Sequence, residues 1–166
     1  MPLTQSTLPS IIPDWDVPLD MATAFANGQT LTATGYINAV QTQVDIGVGR
    51  WIGKLNLDIS ALDLSSVDET YRIHLLGSND ISFGNGNVEI LATQDFAALT
   101  AGRLVPTISP PSNAVPTTGK SSSRFTIPVT NQRGIFVFRY LQLYLVAGGT
   151  TPSITLAAWL AADLSC

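Results

Sequence analysis

The stretch Phe138–Gly149, FRYLQLYLVAGG, decides the fold. Successive side chains of an extended chain alternate, so Leu141, Leu143 and Leu145 fall on one side and Tyr140, Gln142, Tyr144 and Val146 on the other. The stretch is too short and too polar to cross a bilayer as a helix, which takes about 20 mostly apolar residues. Its second face is also too apolar for a strand with open water beside it. Something must cover that face. A second copy, the N-terminal arm or a larger partner surface would each do so.

The same period of two recurs on either side. In QTQVDIGVG, Val44, Ile46 and Val48 alternate with Asp45 and Gly47. In RWIGKLNLDI, Trp51, Leu55, Leu57 and Ile59 oppose Lys54, Asn56 and Asp58. In TYRIHLLGS, Tyr71, Ile73 and Leu75 oppose Arg72 and His74. NVEILATQD, RFTIPVT, FVFRYLQLYLVAG and SITLAAWLA continue the pattern, and GSND, GNGN, NQRG and AGGT mark the turns. DFAALTAGR predicts a short helical turn at most, and MATAFANGQTL either a turn or a first strand. Strict alternation argues antiparallel sheets. The expected fold is all-β: an antiparallel β-sandwich or jelly roll over residues 21–166, preceded by an extended N-terminal arm.

That arm is residues 1–20, where Pro2, Pro9, Pro13 and Pro18 exclude a helix or a central strand. It is nevertheless too apolar for a flexible linker. Leu8, Ile11, Ile12 and Trp15 are candidate contact residues, lying either over the arm's own core or in a neighbour's groove. A second irregular piece runs from Gly102 to Arg124 with four prolines. Loops beyond about 12–15 residues are usually functional or disordered. Leu104, Val105, Ile108 and Val115 in it are candidate partner contacts.

The bulk numbers point the same way. A chain of 166 residues suits one domain with a core of its own. Charged residues make up 12%, about half the usual share of roughly 25%, which suggests a surface partly covered by partners. The net charge is −4, and no Lys or Arg precedes Arg50. A phosphate backbone needs a basic footprint, so nucleic acid is not an expected partner. Neither is a membrane. The N-terminus has no basic region followed by an unbroken apolar run, so it does not read as a signal peptide.

Little in the sequence frames a reaction centre. A nucleophile–His–acid triad needs a His, and the single one, His74, sits in an alternating strand on its polar side. The single Cys, Cys166, is the final residue and has no flanking base. One His and one Cys cannot make a zinc set. Asp14, Asp16 and Asp20, and separately Asp58, Asp63, Asp68 and Glu69, are acidic enough to consider for calcium. Neither group matches a D-x-D-x-D-G loop with a closing Glu, and solvated loop carboxylates explain both. Glu69 and Glu89 are the only glutamates available for a glycosidase pair. SFGNGN lacks the Lys and Ser/Thr of a phosphate loop and reads as a hairpin turn. Trp51 and Trp159, in strands, read as core or interface and not as a sugar platform. No catalytic, cofactor or metal site is expected.

One family resembles this arrangement. DMATAFANGQTLTATGYINAVQTQVDIGVG, ending in the apolar-Asp-apolar-Gly run Val44–Gly49, looks like the opening of the small cement proteins of short-tailed bacteriophages. That family includes the cement protein of the Bordetella tropism-switching phage. IHLLGSND, Ile73–Asp80, resembles the family's strand and turn. RYLQLYLVAGGTTPSITLAAWLA, Arg139–Ala161, is similar to its closing Arg-Tyr-Leu strand, Gly-rich turn and Ala-rich final strand. The proline-rich arm and the 102–124 loop depart from the family pattern. The resemblance implies a jelly-roll protein that clamps neighbouring major capsid subunits on the outside of an icosahedral shell. It implies a virion location, no enzyme activity and no cofactor. Self-association is a further expectation, as a homodimer before a homotrimer. The rival expectations are a carbohydrate- or receptor-binding module of a tail protein and, further off, an enzyme on a β-sandwich.

Overall fold

The computed structural model describes residues 24–38, 43–63, 65–84, 87–97 and 124–162. Leu8, Ile11, Ile12, Trp15, Leu104, Val105, Ile108 and Val115 lie outside the described residues, as do Asp14, Asp16, Asp20 and Cys166. Every regular element described is a strand, and every pairing is antiparallel.

In chain order the strands are β1 (Ala24–Leu31), β2 (Gly35–Tyr36), β3 (Val44–Asp45), β4 (Ile52–Leu62), β5 (Thr70–Ser78) and β6 (Val88–Ala97). There follow β7 (Arg124–Thr130), β8 (Gln132–Arg133), β9 (Phe136–Val137), β10 (Tyr140–Gly148) and β11 (Ile154–Ala162). One sheet has the order β1-β11-β4-β7 and the other β2-β10-β5-β6, with β3 also on β10. Tyr36 pairs with Tyr144 and Asp45 with Tyr140, so β2 and β3 together form one interrupted strand along the edge of β10. Eight main strands result. Wound as the antiparallel pairs β1·β11, β2·β10, β4·β7 and β5·β6, alternating between the sheets, they make a jelly roll.

The core follows from the alternation. Leu55, Leu57 and Ile59 of β4 and Leu156, Ala158 and Leu160 of β11 meet Tyr71, Ile73 and Leu75 of β5 and Leu141, Leu143 and Leu145 of β10. Each fully buried Leu or Ile contributes about 1.5–3 kcal/mol. Tyr71 is buried with its polar end satisfied: the hydroxyl donates to the Asp63 carbonyl at 2.6 Å and accepts from the Ser153 amide at 2.9 Å. Burial pushes its pKa up to about 12. At one end the Trp51 ring lies so close over Gly53 that any side chain there would collide with it. Along the side where β6 and β7 are edge strands, Phe96 and Phe125 close the sandwich edge-on, with ring centroids 4.9 Å apart. Pro128 sits in β7, which among the described residues pairs with β4 alone, as suits a residue without an N–H.

Part of the second face of β10 has a cover that the alternation alone does not foretell, while Val146 on that face stays exposed. Gln142 and its neighbour Leu76 are buried on the outer side of their sheet. Phe83, from the β5–β6 connection, packs edge-on against Tyr36, which in turn packs edge-on against Tyr144 at 5.0 Å. The ring is held there by an unusual backbone: Phe83 has φ 50°, a conformation that bulky residues rarely adopt.

Of the two readings of MATAFANGQTL the first strand holds: it contains β1, whose pairing with β11 is interrupted by register shifts around Ala26 and Gln29. Other expectations need correcting. The alternation of Val44, Ile46 and Val48 does not persist as a strand, because β3 ends at Asp45 and the chain turns. Phe136–Gly148 is not one strand either: β9 pairs with β8 in a separate ribbon, and β10 starts at Tyr140. DFAALTAGR makes no helical turn at its start, since β6 continues as strand to Ala97.

Candidate docking surface

Register decides which loops meet. Asp45 is opposite Tyr140, Ser78 is also opposite Tyr140, and Ile52 is opposite Thr130. The segments 46–51, 79–84 and 131–139 therefore gather at one end of the roll. The β4–β5 turn and the β10–β11 turn lie at the other.

The gathered loops are braced by a few polar side chains. Asn131 is fully buried among them. Its amide nitrogen donates to the carbonyls of Gly49 and Phe138, each at 2.8 Å. Its side-chain oxygen accepts the Trp51 amide at 2.7 Å. Asn79 braces the neighbouring loop in the same way, donating to the Val137 carbonyl at 3.0 Å and accepting the Arg139 amide at 2.9 Å. Arg139 grips Asp45 with two nitrogens, at 2.9 and 2.7 Å. That pairing, helped by the Gly47 amide, holds the Asp45 carboxyl below its usual range. Asp80 accepts the Ser82 amide and hydroxyl, and these bonds lower its pKa too. An exposed pair such as Arg139–Asp45 adds little stability. Its effect is to fix the shape of the loop.

On this braced frame apolar side chains are held out in water. Among the described residues eight large apolar side chains are exposed, and six of them belong to this end: Val48, Ile52, Ile81, Ile90, Ile135 and Phe136. Val48 is 91% exposed and Ile135 88%. Val48 is pushed outward because Gly47 and Gly49 on either side both have positive φ, 79° and 119°, where an L side chain would be strained. Ile135 and Phe136 ride the β8–β9 ribbon, which turns at Gly134 with φ 61°. Arg133 ties that ribbon to β6 through the Ile90 carbonyl and Glu89. Single exposed apolar residues are ordinary, whereas a set gathered on rigid loops marks an interaction site.

Against family models and against curated proteins, the sequence finds no match.

The residues considered for chemistry do not converge. His74 lies on the outer face of its sheet, where one ring nitrogen is 2.8 Å from the Thr93 hydroxyl. Burial, and then Arg72, lower its pKa. Asp58 pairs with Arg124 at 3.0 Å. Asp63 and Glu69 accept amides within the β4–β5 turn, and Asp68 accepts the amide of Thr150. Among the described residues no three His, Cys, Asp or Glu side chains group to hold a metal. Glu69 precedes β5, whereas Glu89 pairs with Gly77 near its far end. At roughly 3.3 Å per residue they stand about 25 Å apart along β5, far beyond the spacing of a glycosidase pair. Trp159 lies on the outer face of its sheet, only 9% exposed, with the Arg124 guanidinium 5.1 Å from its ring centre. Trp51 is half-buried against the core. No helix among the described residues is long and apolar enough to cross a membrane.

Sequence reasoning missed this surface. The one local signal for it was glycine flanking an apolar residue, in Gly47-Val48-Gly49 and in Gly134-Ile135-Phe136.

Proposed function

We propose that this chain is a non-enzymatic virion structural protein, a cement or decoration protein that binds the outside of an icosahedral phage shell. The observation that carries the proposal is the loop end itself, with apolar side chains displayed by loops that Asn131, Asn79 and Arg139 keep from collapsing inward. Such a surface loses little entropy on docking, because it is already ordered. Its partner is the major capsid protein, and its location is the virion exterior. By spanning the joint between neighbouring subunits it adds contacts that resist pressure from packaged DNA. An acidic chain suits the outer side of the shell better than the DNA-facing side. Self-association, as a homodimer before a homotrimer, places two such ends side by side. The sequence resemblance to phage cement proteins supports the same reading.

The rival is a glycan-binding module. Tyr36, Phe83 and Tyr144 are packed edge-on to one another, at 65° and 80°, and offer no level platform, which leaves Phe136 as the exposed ring such a module would use.

The test is co-sedimentation of the purified chain with phage shells that lack it. Saturable binding in a fixed ratio to the capsid subunit, with a raised rupture temperature, is the expected result. Failure to bind any shell would remove the capsid reading.

A further inference from the structure

Between the β5–β6 loop, the start of β6 and the β8–β9 ribbon lies a cleft of about 430 Å³, lined by Asn79, Asp80, Asn87, Val88, Glu89, Phe136 and Phe138. Its chemistry is uneven. Two carboxylates, Asp80 and Glu89, share it with two aromatic rings and contribute its only formal charges. Phe138 is buried and forms part of the wall, whereas the Phe136 ring is 63% exposed and stands at the mouth.

We propose that this cleft receives an arginine side chain presented by the partner protein. The proposal rests on the docking reading above and names what that surface recognises. Three features converge on a guanidinium. Its flat face stacks on an exposed ring, as Phe136 offers. Its edge matches a carboxylate with two parallel hydrogen bonds, as Asp80 or Glu89 offers. Its three-carbon stem is apolar and lies against Val88 and Phe138. A carboxylate-bearing or phosphate-bearing group is opposed by the charge of the lining. A second copy's residues 1–49 carry no Lys or Arg, so that segment does not supply the cation. The cleft also already contends with one guanidinium at its margin. Arg133 approaches Glu89 at 3.2 Å from the ribbon, outside the lining. An incoming arginine therefore meets Asp80 first. Asp80 keeps its charge because the Ser82 amide and hydroxyl stabilise the anion.

The experiment is an NMR titration of the intact chain at low salt with acetyl-arginine methylamide, set against acetyl-citrulline methylamide, which has the same shape without the charge. The expected result is saturable shifts confined to Asn79–Asp80, Asn87–Glu89 and Phe136–Phe138, seen with arginine and not with citrulline. D80N, which keeps an acceptor for Ser82, should abolish saturation. F136A should weaken it about two- to five-fold, the range expected of an exposed cation–π contact. Equal shifts from the two probes, shifts elsewhere on the surface, or no shift at all would overturn the proposal. Saturation by the arginine probe without binding to any capsid shell would uphold the cleft and remove only the capsid reading.

Discussion

Asn131 and Trp51 bond to each other twice. The Trp51 amide donates to the Asn131 side chain at 2.7 Å, and the Asn131 amide donates to the Trp51 carbonyl at 3.3 Å. This pair joins the start of β4 to the end of β7, and the remaining bonds of Asn131 extend the joint to Gly49 and Phe138. N131A would leave the Trp51 amide and the Gly49 and Phe138 carbonyls without this partner, and of the three bonds lost the one to Phe138 is fully buried. A cost of about 2 kcal/mol is expected, since each unsatisfied buried group costs roughly 1–3 kcal/mol. N131D should be no better, because a carboxylate cannot donate to the two carbonyls. Urea denaturation measures both. A loss under about 1 kcal/mol would show that the loops do not depend on this side chain.

Phe136 and Ile135 should behave in the opposite way. They are exposed, so I135S and F136S are expected to change stability by no more than about 0.5 kcal/mol. Shell co-sedimentation should nevertheless fall at least ten-fold if the loop end is the docking surface. Binding at wild-type strength by the double variant would move the interface elsewhere.

Val67 has φ 58° in the β4–β5 turn and is half exposed. A β-branched residue in that region is strained by roughly 1–3 kcal/mol. V67N, with a residue that tolerates the left-handed region, should raise stability by about 0.5–1 kcal/mol. A lowered denaturation midpoint would mean that the valine side chain makes a contact worth more than the strain.

Stability should depend on pH in two steps. The folded pKa of His74 lies below the ordinary histidine value of 6.5, so the unfolded chain takes up a proton first. Its contribution is present above about pH 6.5 and is lost as pH falls through the lower folded value. Asp45, Asp63, Asp68 and Asp80 all lie below the ordinary aspartate value of 3.8 when folded. Their contribution is present above that pH and is lost only as pH falls further. Denaturation midpoints measured between pH 7 and pH 3 should therefore show an upper step that H74Q removes and a lower step that it leaves. An upper step unchanged in H74Q would assign it to another group.

The sheets were legible because their signal is local. Leu141, Leu143 and Leu145, or Leu55, Leu57 and Ile59, declare a buried face within five residues, and the structure buries each of them. β1 was ambiguous because Gly28, with φ 70°, and the irregular pairing around it blur the alternation. Val48 looked like the third member of an inward row because spacing alone cannot show that Gly47 has turned the chain. The ribbon was absorbed into β10 because Phe136 and Phe138 continue the count of two. The loop end itself was hidden for a different reason. Val48, Ile81 and Ile135 are far apart in sequence, and only the pairing of β3, β5 and β7 with their neighbours brings them to one place.

Pro128 has a consequence beyond β7. An exposed edge strand is a template on which a second molecule's strand can add, and then a third. On this edge one rung lacks its hydrogen, and the pyrrolidine ring stands where a neighbour's backbone would have to lie. On the proposed reading many copies would stand close together, at local concentrations where an open edge invites strand after strand. With the proline in place the β7 edge resists that addition, so crowded copies are not stitched together through it.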